Sequence, residues 1–181
     1  MVAAVTRAGG IIDRVSSLYR QGTPERELVD LNEIVREMSV LLGDKANRNA
    51  VSIRTDLDPE LPTTTADRVQ LQQVLMNLML NGIEAMQDTG GELTVASERT
   101  EDGQLLISVS DTGIGLSIDE AERIFDAFFT TKPQGTGMGL SISRRITESH
   151  GGRLLARPNT GRGATFQFTL PVETAPPPAA D

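Results

Sequence analysis

The stretch Asp67-Arg-Val-Gln-Leu-Gln-Gln-Val-Leu-Met-Asn-Leu-Met-Leu-Asn-Gly-Ile-Glu-Ala85 decides how this chain is read. Asp67 followed by Gln70 is a capping-box pattern, so a helix is predicted to open there and run to about residue 87. At 3.6 residues per turn, Gln70, Gln73, Asn77, Asn81, Glu84 and Asp88 share an arc of roughly 80°. Almost every other direction is apolar: Leu71, Val74, Leu75, Met76, Leu78, Met79, Leu80, Ile83, Ala85 and Met86. A helix this apolar is mostly buried. Its narrow polar strip must face water, a partner or a cavity, because an unpaired buried amide costs about 1–3 kcal/mol. A merely solvated edge would be served by Lys and Glu, whereas two asparagines one turn apart are poor helix formers. The strip is therefore expected to line a site. An amide oxygen is a hard ligand that suits Mg2+, which keeps several waters while bound to substrate phosphates. Asn81 is the expected direct metal ligand, with Asn77 reaching the site through water or phosphate.

Two glycine clusters follow downstream. The first, Asp111-Thr-Gly-Ile-Gly115, ends the alternating run Leu105-Leu-Ile-Ser-Val-Ser110. A carboxylate only accepts hydrogen bonds, so Asp111 pairs with the exocyclic amine of adenine rather than with a guanine carbonyl. Gly113 and Gly115 let the backbone approach a flat base. The second, Gly135-Thr-Gly-Met-Gly-Leu140, runs into a helix whose N-terminal amides form an anion site. Thr130, Thr131 and Lys132 add two hydroxyls and a cation just before it. This segment is expected to order over phosphates, with Phe125 in the core and Phe128 and Phe129 seating it. Neither common glycine loop fits. Leu140 stands where the lysine of a phosphate loop should follow Gly139. Neither glycine pair is followed by the third glycine of a dinucleotide fingerprint.

At 181 residues the chain suits one substantial core with room for an appended element. Its 38% hydrophobic and 23% charged residues point to a soluble globular class. A net charge of -8 argues against a nucleic-acid partner, since phosphate neutralisation needs a basic face. The absence of cysteine excludes disulfides and thiolate metal sites. No apolar run is long enough to span a membrane and no signal peptide is visible, so a cytoplasmic location is expected.

Periodicity predicts an amphipathic helix over residues 6–20 that wants a partner, either a second copy or a preceding helix. A second helix is predicted over 31–48, capped by Asp30 or Asn32, then a strand over 51–57. The runs 92–98 and 104–110 read as a hairpin, a helix is expected over 139–150, and strands over 153–157 and 164–170 close the domain. Beyond Pro171 the chain reads as a disordered Pro-rich tail. Helices followed by paired strands imply an α+β fold, a mixed sheet covered on one face by helices.

The ordered clusters resemble the ATP-binding catalytic domain of bacterial two-component sensor histidine kinases, within the Bergerat-fold (GHKL) ATPase superfamily. The family's N, G1, F and G2 boxes look like residues 77–85, 111–115, 125–132 and 135–140. The phrases Leu71-Gln-Gln-Val-Leu-Met-Asn77, Gly137-Met-Gly-Leu-Ser141 and His150-Gly-Gly-Arg153 look closest to nitrogen-regulation and oxygen-sensing kinases. The resemblance covers residues 28–171, and residues 1–22 are similar to part of the second helix of the dimerisation hairpin, leaving 172–181 as the tail.

The resemblance implies a two-layer α/β sandwich binding Mg-ATP, with ATP and ADP as ligands. It implies a nucleotide site of Asn77, Asn81, Glu84, Asp111, Gly113, Gly115, Phe128, Thr130, Thr131, Lys132, Gly135, Thr136, Gly137, Met138, Gly139, Leu140 and Thr165, with Mg2+ on Asn81. It further implies transfer of the γ-phosphate to a histidine on the hairpin's first helix, a response regulator as downstream partner, and possible homodimerisation through the N-terminal helix. The only histidine, His150, matches a structural position, so the chain is expected to bind nucleotide without phosphorylating itself. Hydrolytic members resemble one another in carrying a glutamate where Asn77 stands, and an amide cannot act as general base. Phosphoryl transfer is therefore expected over hydrolysis; a regulatory nucleotide-binding module or a weak ATPase is the alternative.

Overall fold

The computed structural model describes residues 25–132 and 135–172. The expected helix over 6–20 and the tail after Val172 lie outside the described residues. In chain order the elements are β1 (Glu27–Val29), α1 (Leu31–Arg48), β2 (Val51–Leu57), β3 (Thr64–Ala66), α2 (Arg68–Ala85) and β4 (Gly91–Arg99). There follow β5 (Leu105–Asp111), α3 (Ile118–Arg123), α4 (Gly139–Ser149), β6 (Arg153–Pro158) and β7 (Ala164–Leu170).

Five strands form one mixed sheet in the order β2-β4-β5-β7-β6, with β2 parallel to β4 and the other pairs antiparallel. β1 and β3 pair separately. Alternation decides which face the helices cover. Val95, Val109 and Phe166 stand in register and are buried, as are Ser97, Ile107 and Phe168. Their neighbours Thr94, Ser110 and Thr165 lie on the other face and are only half-buried. The helices α1, α2 and α4 supply the second layer, with α2 in the middle touching both others. This is the α+β sandwich that the pattern of elements implied.

Asp30, rather than Asn32, caps α1 by accepting the N–H groups of Asn32 and Glu33. Asn32 is instead buried and ties α1 to the sheet: its Nδ2 donates to the Asp58 carbonyl at 2.7 Å and its Oδ1 accepts the Ser97 hydroxyl at 2.7 Å. At α2 only half of the expected capping box forms. The Asp67 carboxylate accepts the Gln70 N–H at 3.0 Å, but the Asp67 N–H donates to His150 Nε2 at 3.0 Å. A reciprocal capping box does form at α3, between Ser117 and Glu120, a short helix that periodicity did not predict.

Candidate functional site

Three separate segments converge on one side of α2. At its C-terminal end, Gly82 packs against Asp111: a Cβ added there would stand 3.5 Å from the Asp111 Cβ. The loop after β5 then lies on Ala85, whose carbonyl accepts the Ile114 N–H at 3.2 Å. Gly113 is required at this contact, since a Cβ would come within 2.5 Å of that same carbonyl oxygen. Near the middle of α2, the start of α4 lies against Asn77. Gly139 leaves no room for a side chain there, because an added Cβ would collide with Asn77 Oδ1. Between these two contacts Lys132 reaches in, donating to Asn81 Oδ1 at 2.9 Å and to Glu84 Oε2 at 2.6 Å. No residue of α2 from 71 to 85 is exposed, so the strip from Gln73 to Glu84 is partly covered, while Asp88 beyond the helix lies in water.

Asp111 is buried, and its Oδ1 accepts the Gly113 N–H at 2.8 Å. Burial raises its carboxyl above the ordinary 3.8, against the N–H groups of Gly113 and Ala164, which favour the charge. For Glu84 burial also works against the charge. There the Lys132 ammonium, and after it Lys45 at 3.5 Å from Oε1, outweigh burial and hold the carboxyl below its ordinary value.

The remaining expected residues divide. Thr130 Oγ1 accepts the Lys132 N–H at 3.1 Å, and Gly135 lies against that hydroxyl. Thr131 and Thr136 are exposed, Gly137 accepts the Phe128 N–H at 3.0 Å, and Gly115 packs on the backbone of Gly163. Met138 gives α4 no side-chain cap, and Leu140 is partly buried against the core. Phe125 joins the core as expected, and Phe129 lies under the Arg123 guanidinium at 4.8 Å. Phe128 does not seat the segment: it is 76% exposed, with a left-handed backbone.

Thr165 needs correction. Its hydroxyl donates to Asn159 Oδ1 at 2.7 Å and lies 2.9 Å from the Ser110 hydroxyl, on the face of the sheet away from α2. Strand alternation turns Ala164, not Thr165, toward the helices, and the Ala164 N–H bonds Asp111. Asn77 also has a nearer partner than expected, donating from Nδ2 to Ser143 Oγ at 3.0 Å.

The donor set fits the groups that the sequence implied. Asn81 Oδ1 and the Glu84 carboxylate are hard oxygens, and one cationic group already rests against both. Among the described residues no three His, Cys, Asp or Glu side chains cluster as a metal site. A magnesium here would therefore draw most of its ligands from phosphate and water. Two surface grooves, about 340 Å3 beside α1 and β2 and about 430 Å3 between α3, α4 and β6, are lined by none of the candidate nucleotide residues.

Comparison with known proteins agrees with this geometry. Residues 66–174 match the family model described as histidine kinase-, DNA gyrase B-, and HSP90-like ATPase. The chain belongs to that ATPase family. Its relatives are sensor histidine kinases: it is 45% identical to the sensor protein FixL of Bradyrhizobium diazoefficiens over 92% of this chain and 33% of that protein. The chain thus spans about a third of the length of this relative. It is similar to full-length ShkA solved in complex with AMPPNP, with a TM-score of 0.76 and 30% identity over 85% of this chain and 32% of that one. It is similar also to histidine kinase ThkA solved with the response regulator protein TrrA, with a TM-score of 0.78 and 31% identity over 95% of this chain and 49% of that one.

Among the residues that meet the strip of α2 or Asp111, those that motif reading missed are Lys45, Ser143 and Ala164. Lys45 lay on an ordinary amphipathic helix and Ser143 in a helix called for by periodicity alone. Period-2 alternation across β5 and β7 was the signal that could have replaced Thr165 by Ala164.

Proposed function

We propose that residues 28–171 form a nucleotide-binding unit that takes Mg-ATP and supplies its γ-phosphoryl group to a protein histidine. The convergence of Asp111, Asn81 and the start of α4 on one helix carries this reading. In it, the buried Asp111 carboxylate accepts from the adenine amine, which fixes the base. Asn81 Oδ1 holds the metal, and bound magnesium supplies charge neutralisation of the phosphates. The uncapped first turn of α4 offers its N–H groups to the phosphate oxygens. Thr130, Thr131, Lys132 and residues 135–140 border the same end of the site.

His150 is a poor acceptor in this reading. It is buried, its Nδ1 lies 2.8 Å from the Ile146 carbonyl and must carry the proton, and its Nε2 accepts the Asp67 N–H. The acceptor histidine must then come from outside these 181 residues, on a hairpin to which residues 1–22 would contribute. The phosphoryl group would move from ATP to an imidazole nitrogen with ADP as leaving group, and a response regulator would receive it next. The ThkA complex with TrrA supports a partner of that kind. A cytoplasmic setting, where ATP is available, goes with this role; no described helix is long and apolar enough to cross a membrane. A hydrolytic reading would need Glu84 as base, and its two lysine partners make it a weak one.

The test is a pair of measurements. Mg-ATP should raise the melting temperature of the chain by mass action. Radiolabelled ATP should label an added histidine hairpin and leave the chain itself unlabelled. No thermal shift and no labelled hairpin would overturn the proposal.

A further inference from the structure

The Lys132 ammonium makes two short polar contacts with the strip, and it makes them with the two side chains that a metal would need. It lies 2.9 Å from Asn81 Oδ1 and 2.6 Å from Glu84 Oε2. Lys45, from α1, stands 3.5 Å from the other oxygen of Glu84. The position of Lys132 is set locally, because its own N–H donates to Thr130 Oγ1 at 3.1 Å and its carbonyl accepts the Gly135 N–H at 3.1 Å. Two lysines from segments far apart in sequence thus surround one carboxylate and one amide oxygen.

We infer that Lys132 is the resident counter-ion of the Asn81–Glu84 pair, so that a divalent cation enters only by displacing it and does so only together with nucleotide phosphate. This inference deepens the Mg-nucleotide reading and rests on it. The physical reason is charge. One amide oxygen cannot serve an ammonium and a dication together without bringing two like charges side by side at a half-buried position. A free metal ion offers the displaced ammonium nothing in return. It would leave Lys132 unpaired next to a dication, with Lys45 adding to the repulsion. Phosphate changes the balance, because its oxygens give the displaced ammonium a new anionic partner. Metal and nucleotide then favour one another's binding, a coupling built from this chain's own lysine. The arrangement also keeps Glu84 neutralised at all times, by Lys132 before binding and by the metal after it.

The experiment uses the whole chain and Mn2+ alone as probe, followed by electron paramagnetic resonance without any nucleotide. The unsubstituted chain is expected to show no saturable Mn2+ binding at concentrations where Lys132→Met does, with apparent affinity tightened about tenfold or more. Lys132→Gln should behave as Lys132→Met, which covers a folding failure of either one. Lys132→Arg should restore the unsubstituted behaviour, since it returns the cation. Adding Asn81→Ala and Glu84→Gln to Lys132→Met should abolish the gain. Equal Mn2+ affinity in the unsubstituted chain and in both neutral variants overturns the inference. So does a gain that survives loss of Asn81 and Glu84, because the metal then binds elsewhere. Calorimetry of the unsubstituted chain with Mg-ATP separates the two claims: no heat there sinks the nucleotide reading, while the Mn2+ comparison still decides the counter-ion.

Discussion

α1 and α2 have the same length, 18 residues, and each is capped by an aspartate, yet they do different work. α1 is an ordinary amphipathic helix. Its inner face buries Ile34, Val35, Met38 and Leu42, and its outer face, with Arg36, Glu37, Val40 and Leu41, lies in water. α2 has no such outer face: between residues 71 and 85 every side is at least half-covered. Its apolar sides meet the sheet and α1, and its polar strip meets α4, Lys132 and the loop after Asp111. A polar residue on the outer face of α1 is free to be solvated, whereas those on the strip of α2 are partly covered and meet groups from other parts of the chain. That difference makes α2 the hub of the site and α1 a wall of the core.

The comparison can be pressed by substitution. Leu78 on α2 is fully buried, and Leu78→Ala is expected to cost about 2–5 kcal/mol in chemical denaturation. A cost under about 1 kcal/mol, close to that of a surface substitution, would break the picture of α2 as hub.

Asp111→Asn should weaken Mg-ATP binding by about tenfold or more, since a hydrogen bond to a charged group is worth about 1.5–3 kcal/mol. Stability should move the other way. The folded-state carboxyl titrates above its ordinary 3.8, so the native state holds the proton more tightly than the unfolded chain does. Stability is therefore lost as pH rises through the window between 3.8 and the raised value, and the loss is complete above it. The Asn variant escapes that loss, so its melting temperature at neutral pH should equal or exceed that of the unsubstituted chain. Its relative advantage should vanish below that window. A variant that binds normally, or that unfolds at neutral pH, would contradict the assignment of a site kept at the expense of stability.

His150→Ala removes the acceptor for the Asp67 N–H at the start of α2 and should cost about 1–3 kcal/mol, read by denaturation. Smallest of all, Val40→Ser on α1 changes a side chain that is 83% exposed and should stay within about 0.5 kcal/mol. A larger loss there would mean that the outer face of α1 is covered by something.

Long regular elements were legible because their periodicity is carried by many residues. The bounds predicted for α1 and β2 agree with those observed, and the hairpin of β4 and β5 differs by one residue at each of its four ends. β1 and β3 escaped because three residues carry no usable period, and they pair across a long separation. α3 escaped for a related reason: it has six residues and buries none of them, so no apolar stripe marks it. At the site, the roles expected of Asp111 and Asn81 rest on residue type and glycine context. The bonds of Lys132 and Ser143 could not be read that way, because hydroxyls and ammonium groups carry no local mark of the partner they will find.

The sequence alone determined which residues share a face, that α2 would be buried with a narrow polar strip, and in what order the glycine clusters would follow. These are properties of 3.6- and 2-residue periods and of backbone sterics, which act between near neighbours. Tertiary structure decided which neighbour each polar group meets. It placed Ala164 rather than Thr165 on the helix side of β7, gave Asp67 to a histidine 83 residues away, and set Lys132 on Glu84 across 48 residues. Such choices depend on strand parity and on how layers are stacked, and those are settled only when the whole core closes.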